Sequence, residues 1–153
     1  MTRINADIDP YYLCDQHLIA EYREIVRIPN CVRKDIYKNS TRELPKHFKL
    51  GSGHVLYFYN KIKFLHKRFN KLRNEMRKRK IVCNLGDDMF LYDDLKPFYN
   101  DIHSNELLDG NIEVCERIVE RIETTKKQTT YYGKKISKQD YIKIITNEYF
   151  KRN

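Results

Sequence analysis

A chain of 153 residues with 41% hydrophobic and 12% aromatic content is sized for a single core and is too apolar to be a disordered tail. Its 30 Lys and Arg against 21 Asp and Glu leave a net charge of +9, which favours a polyanionic partner, nucleic acid before membrane surface. No apolar run approaches the roughly 18 residues of a membrane span, and the first residues lack the apolar centre of a secretion signal, so neither a membrane nor a secreted protein is expected.

The four cysteines, Cys14, Cys31, Cys83 and Cys115, are dispersed and form no C-x-x-C pair. No histidine pair completes a zinc spacing either, so they read as thiols in a reducing compartment, and no metal or other cofactor is expected.

The first predicted helix runs from about Leu13 to Ile28, where Pro29 and Asn30 end it. Its apolar stripe is Leu18, Ile19, Tyr22, Ile25 and Val26. Gln16, Arg23 and Arg27 lie opposite, with Ala20 among them, and His17 and Glu24 sit at the edge of that surface. The second predicted helix begins near Ser52 or Gly53. Val55, Phe58, Tyr59, Ile62, Leu65, Phe69, Leu72 and Met76 recur at steps of three and four. Its other faces carry Lys61, Lys63, Lys67, Arg68, Lys71, Arg73, Arg77, Lys78, Arg79 and Lys80, a basic outer surface open to solvent. Gly51 and Gly53 flank Ser52, but no Walker lysine follows, so a helix start is expected there and not a phosphate loop.

An acidic stretch with Asp87, Asp88, Asp93, Asp94 and Pro97 then reads as loop with at most a short turn or helix. A third helix spans roughly Asn111 to Thr124, with Ile112, Cys115, Ile118, Val119 and Ile122 inward. A fourth starts at Ser137, where Ser137 and Asp140 resemble a capping box, and continues through Tyr141, Ile144, Ile145 and Tyr149. No alternating strand pattern is present. The fold class expected is all-α, a compact bundle of three main helices. Residues 1–135 form the domain, and residues 136–153 are a helical extension packed on it.

The chemistry is concentrated at the start of the chain. Arginine pairs grip phosphates through bidentate forks, although the same face also fits a solvated charged surface with an ordinary ion pair. Thr2 is small enough for removal of Met1, which would leave its α-amine free. Such an amine has a pKa of about 7.7–8.0 against about 10.4 for lysine, so its lone pair is cheaper to expose at neutral pH. It is therefore a natural Schiff-base nucleophile.

M-T-R-I-N, followed by D-Q-H-L-I-A-E-Y-R-E and Arg27, resembles the start of the pyrimidine-dimer DNA glycosylase/AP lyase family of phage endonuclease V type. L-G-S-G-H-V-L-Y-F-Y-N-K at 50–61 with F-L-H-K-R at 64–68 is similar to the opening of that family's second helix. Arg117 and Arg121 match two basic positions of its third helix, and Y-Y-G-K at 131–134 matches its C-terminal motif. The resemblance covers residues 1 to about 135, apart from a divergent stretch near 81–108.

The resemblance implies a DNA repair enzyme that excises UV-induced cyclobutane pyrimidine dimers and nicks the abasic site by β-elimination. Thr2 would be the nucleophile and Glu24 the catalytic carboxylate. Arg3, Gln16, His17, Arg23 and Arg27 would hold phosphates and kinked duplex, Arg117 and Arg121 would extend that grip, and Tyr131, Tyr132, Gly133 and Lys134 would border the groove. The partner implied is double-stranded DNA carrying lesions, bound by a monomer without a membrane. The location implied is the cytoplasm of a phage- or virus-infected cell, or wherever the genomic DNA resides.

Four departures from the family pattern stand out. One residue is inserted between Ala6 and Cys14, and Val26 replaces a proline. Gln128-Thr129-Thr130 replaces an aromatic W-Y-K, which bears on lesion choice, and the tail from Ile136 runs past the family's usual end. A basic DNA-binding module without turnover, and a glycosylase for a different damaged or modified base, are the alternatives.

Overall fold

In the computed structural model, which describes residues 4–148, the first helical stretch is two helices. Helix α1 (Asp15–Ile25) and helix α2 (Arg27–Tyr37) meet at Val26. Pro29 does not end the first helix where the sequence pattern places its end. Inside a continuous helix its ring would clash with the carbonyl of Ile25, four residues back, so the chain breaks just after Ile25. Pro29 then falls in the first turn of α2, where a missing N–H costs nothing.

The second predicted helix also starts later than expected, at Ile62, as α3 (Ile62–Lys78). Gly51 and Gly53 take left-handed φ values of +75° and +85°, which a helix start does not accept. Lys61, at φ −125°, breaks the path again. Between them Leu56–Phe58 forms a 3-10 turn that buries Tyr57 and Phe58. The acidic stretch holds two further 3-10 turns, Asp88–Phe90 and Asp93–Phe98.

Helix α4 (Leu108–Thr124) buries Val114, Cys115, Ile118 and Ile122 as the periodicity requires, but Ile112 is 40% exposed and faces out. A two-strand antiparallel hairpin, β1 (Thr130–Tyr131) and β2 (Lys134–Lys135), follows where no strand was expected. Tyr132 and Gly133 turn it with φ of +54° and +76°, the left-handed pair that suits the twist of a tight hairpin. Helix α5 (Lys138–Lys143) begins at Ser137, whose hydroxyl accepts from the Asp140 amide at 3.1 Å, and it runs on into a π turn at Ile144–Glu148. Tyr149 lies outside the described residues.

The protein is therefore all-α apart from the hairpin, with α1 packed along α3 and α5 against α4. Tyr22 of α1 stacks on Phe69 of α3 at 5.5 Å within a core that also holds Leu18, Ile25, Leu65 and Leu72. The basic surface expected along this stretch needs one correction, because one arginine of α3 and the arginine that caps its end are interior. The side chains of Arg68 and Arg79 are 1% and 0% exposed. Arg68 is paired with Glu21 of α1 and Arg79 with Asp15, and those carboxylates make the burial of each guanidinium tolerable.

Candidate active site and nucleic-acid interface

The segment ahead of α1 is fastened to the body of the protein at almost every residue. The Ile4 N–H donates to His54 Nε2 at 3.2 Å. The Asn5 amide donates to Glu21 Oε1 at 2.8 Å. The Asp7 N–H donates to Asn111 Oδ1 at 2.8 Å, and the Ile8 carbonyl accepts from Arg68 Nη1. Ile8 N–H also closes a turn onto the Asn5 carbonyl at 3.2 Å. Within that turn Ala6, wholly buried, holds φ +51°, a conformation that costs an L-residue about 1–2 kcal/mol and persists because its neighbours are fixed.

Arg68 binds Glu21 bidentately, at 2.7 and 3.0 Å. Chain start, α1 and α3 are thus joined through one buried carboxylate. Glu24 lies one helical turn beyond Glu21, where Cβ atoms three residues apart are about 5–6 Å from each other. Its carboxylate is 3.4 Å from Arg27 Nη1, with the side chains 20% and 71% exposed. Arg23 is exposed on the adjoining surface.

The middle of α1 faces α4. Arg117 and Arg121, a hundred residues away in sequence, come over Ala20 and His17 and close a small cavity of about 40 Å³ with Asn5 and Glu21. His17, Ala20 and Arg121 also line a larger, open cleft of about 470 Å³ that runs past Gln16 to Lys127 and Gln128. Alanine is therefore the low point of the surface, and the arginines rise from the opposing helix. Among the described residues no hydrogen-bond partner reaches His17 Nδ1 or Arg121 Nε, although both atoms are buried. Burial, and after it the charge of Arg121, lowers the His17 pKa to about 4. At neutral pH His17 is therefore an uncharged polar group, and Arg121 and Lys127 carry the positive charge of the cleft. An anionic oxygen there would satisfy the Arg121 Nε–H.

The first residue of α1 organises the hairpin. Asp15 accepts from Gly133 N–H at 2.9 Å, Thr130 Oγ1 at 2.8 Å, Tyr132 N–H at 3.2 Å and Arg79 Nη1 at 3.0 Å. Burial acts to raise its pKa, but the Gly133, Thr130 and Arg79 donors overcome that and hold it below 3.8. Gln16 is committed to the same hairpin, accepting from Thr130 N–H at 3.1 Å and donating to Thr130 Oγ1 at 3.0 Å. Tyr131 donates to the Tyr11 carbonyl at 2.5 Å and Tyr132 to Glu75 Oε2 at 2.9 Å, while the Arg79 guanidinium lies 4.9 and 4.4 Å from their ring centres. Lys134 is exposed at the hairpin's outer edge.

Of the residues expected at the site, the fold gathers His17, Arg117 and Arg121 around Ala20, with Glu24 and Arg27 one turn further along α1. Gln16, Tyr131, Tyr132 and Gly133 form a separate cluster at the start of that helix. Thr2 and Arg3 lie outside the described residues. Sequence patterning passes over Asn5, Glu21, His54, Arg68 and Asn111, which fasten the chain start. The signal available for two of them is a charge inside an apolar stripe: Glu21 lies between Leu18 and Ile25, and Arg68 between Leu65 and Leu72. No group of His, Cys, Asp or Glu able to hold a metal is present among the described residues, and none of their helices is long and apolar enough to cross a membrane.

The family model for pyrimidine dimer DNA glycosylases matches residues 1–89, which cover the chain start, α1, α2 and α3. The match takes in more than half of the 153 residues, and the chain belongs to this family.

Proposed function

We propose, with that membership as the premise, that the protein removes a dimer-linked pyrimidine from duplex DNA and then cuts the strand, using the amine of Thr2 after loss of Met1. The observation that carries this reading is the anchoring of the chain start on α1. Asn5 is bonded to Glu21, one turn from Glu24, and the Ile4 amide is fixed. Two residues of extended chain reach at most about 7 Å, so the nucleophile works within a short radius of a carboxylate.

In the first step the Thr2 nitrogen bonds to the anomeric carbon C1′, and the N-glycosidic bond breaks with its electron pair leaving on the base. The amine then loses its proton and the sugar ring opens, giving an imine. In the second step a proton leaves C2′, the electrons move into a new C2′–C3′ double bond, and the C3′–O bond to the phosphate breaks. Water hydrolyses the imine and frees the amine. A deprotonated Glu24 suits two of these steps, stabilising the cationic centre at C1′ and moving the proton. Arg23, Arg27, Arg117 and Arg121, with Arg3, would neutralise phosphates, and neutral His17 would add a hydrogen bond in the cleft. Unpaired, damaged bases cost least to extrude, which favours lesions over intact duplex.

A second reading, a different damaged base as substrate, is favoured by one feature. Gln128-Thr129-Thr130 is tied into the fold, with Thr129 buried and Gln128 bonded to the Thr129 and Ile136 carbonyls at 3.0 and 3.1 Å. It offers no aromatic surface to a lesion. Nicking of UV-irradiated against unirradiated plasmid, with an abasic plasmid as control, separates the readings. Nicking that depends on irradiation supports dimer excision. Cleavage of the abasic plasmid alone points to another base, and cleavage of neither points to a binding module.

A further inference from the structure

His54 holds the described part of the chain start at the position nearest Thr2. Its Nδ1 lies 2.8 Å from the Lys49 carbonyl, which only accepts, so Nδ1 carries the ring proton. Nε2 is then a bare lone pair, and the Ile4 N–H points at it from 3.2 Å. Both ring nitrogens are used, and the two bonds together define one neutral tautomer.

The surroundings leave the ring little freedom. It is 2% exposed and meets Phe48 and Phe58 edge-to-face, at 5.3 Å and 5.5 Å. The loop that presents the Lys49 carbonyl turns at Gly53, where an added Cβ would lie 3.0 Å from Lys49 Cε.

We propose that His54 is a positioning residue for the nucleophilic chain end: by accepting the Ile4 N–H it fixes the chain two residues from Thr2 and so limits the reach of that arm. The proposal rests on the imine reading given above. His54 touches no reacting atom. Its contribution is to restrict the arm, and attack requires the reacting atoms to be held about 3–3.5 Å apart. Without this bond the first fixed point moves to Asn5 and Asp7, and the arm lengthens.

The same geometry makes the anchor sensitive to acid. A protonated ring would present Nε2–H to the Ile4 N–H, two donors facing each other, and the bond would be lost. The charged groups acting on the ring are Glu21, itself paired with Arg68, and the chain's terminal amine, with Lys49 on the neighbouring 49–53 loop. Burial lowers the His54 pKa below 6.5, against the opposing influence of the Lys49 carbonyl and Glu21. The anchor therefore holds at neutral pH and fails in acid. The amine also protonates in acid, so the wild-type adduct-forming rate should fall more steeply than one proton allows over the range in which His54 protonates as well.

Two variants of the full chain test this, His54→Phe, which keeps the ring between Phe48 and Phe58 without its nitrogens, and His54→Gln, which keeps an acceptor but does not titrate. The readouts are the single-turnover rate of borohydride-trapped adduct on abasic duplex from pH 5 to 8, duplex affinity by anisotropy, and Ile4 amide exchange by NMR. His54→Phe should slow trapping by about tenfold or more, with affinity changed by less than about twofold and Ile4 exchanging faster. His54→Gln should recover much of the rate and flatten the acid limb to one proton. Trapping by His54→Phe at the wild-type rate, or the steeper limb retained in His54→Gln, overturns the positioning role alone. Absence of any adduct from the processed wild type overturns the imine reading, and the positioning role with it. Should His54→Phe fail to fold, the acid limb of His54→Gln decides.

Discussion

Glu21 and Arg68 lie side by side in the interior, Oε2 to Nε 2.7 Å, with side chains 0% and 1% exposed, and the Asn5 amide hangs from the same carboxylate. The pair joins α1, α3 and the chain start where no water can replace a lost partner. Glu21→Leu or Arg68→Met alone leaves the other member buried without its counter-charge, and each should cost about 3–5 kcal/mol in urea unfolding. Glu21→Leu combined with Arg68→Met should lose less than the sum of the single changes, because both charges go together. Additive losses would show that the two residues act independently.

Asp15 makes a second claim testable, that the hairpin is held by α1. Asp15→Asn turns one acceptor oxygen into a donor facing N–H groups, and should destabilise the fold by about 2–4 kcal/mol. The sign of the pH dependence follows from a pKa held below 3.8 in the fold. The contribution is complete above 3.8 and is lost as pH falls through the lower folded value. Circular dichroism across acid pH should show a loss in the wild type that is smaller in Asp15→Asn.

His17 should behave as a neutral residue in the free protein. Its ring signals should titrate near 4 in NMR, from burial first and the Arg121 charge second. The unfolded chain binds its proton near 6.5, so this residue lowers stability as pH falls from 6.5 toward 4. Arg121→Met should move the titration upward by removing one repulsive charge, and bound duplex should move it further. Titration near 6.5 in the free protein would show that the ring is solvated.

Gly110 reports on the packing behind His54. In an ordinary helix Gly→Ala gains up to about 1 kcal/mol. Here the new Cβ would sit 2.5 Å from Phe48 Cδ1. Phe48 in turn packs on His54. Gly110→Ala should therefore be destabilising in thermal unfolding, by about 1–3 kcal/mol before the helix gain is subtracted. A stabilised variant would show that Phe48 moves aside freely.

The helical periodicities of α1, α3 and α4 were legible because their apolar stripes face a common core. Boundaries were less so, for local reasons. Pro29 acts on the carbonyl four residues before it, so the break appears at Val26, and Gly51 and Gly53 supply left-handed turns that hydrophobic spacing does not register. The hairpin was missed because strands of two residues are too short to show alternation. At the site, the exposed arginines of α1 could be read from charge on a helical face, whereas the half-buried Arg117 and Arg121 of α4 were expected only from the family resemblance. The buried clamp left only a partial trace: Glu21 and Arg68 each interrupt an apolar stripe, but their pairing with one another appears only once α1 packs on α3. The role of His54 was not legible either. Packing describes its contacts with Phe48 and Phe58, but its hydrogen bond to Ile4 joins residues fifty apart and leaves no trace in spacing.

The most direct measurement is borohydride reduction of the processed protein with duplex carrying an abasic site or a dimer, followed by peptide mass spectrometry of the adduct. The account predicts one cross-link, on the α-amine of Thr2, lost when that amine is acetylated, with strand cleavage abolished in Glu24→Gln. A cross-link on a lysine side chain, or cleavage by Glu24→Gln at close to the wild-type rate, would contradict it.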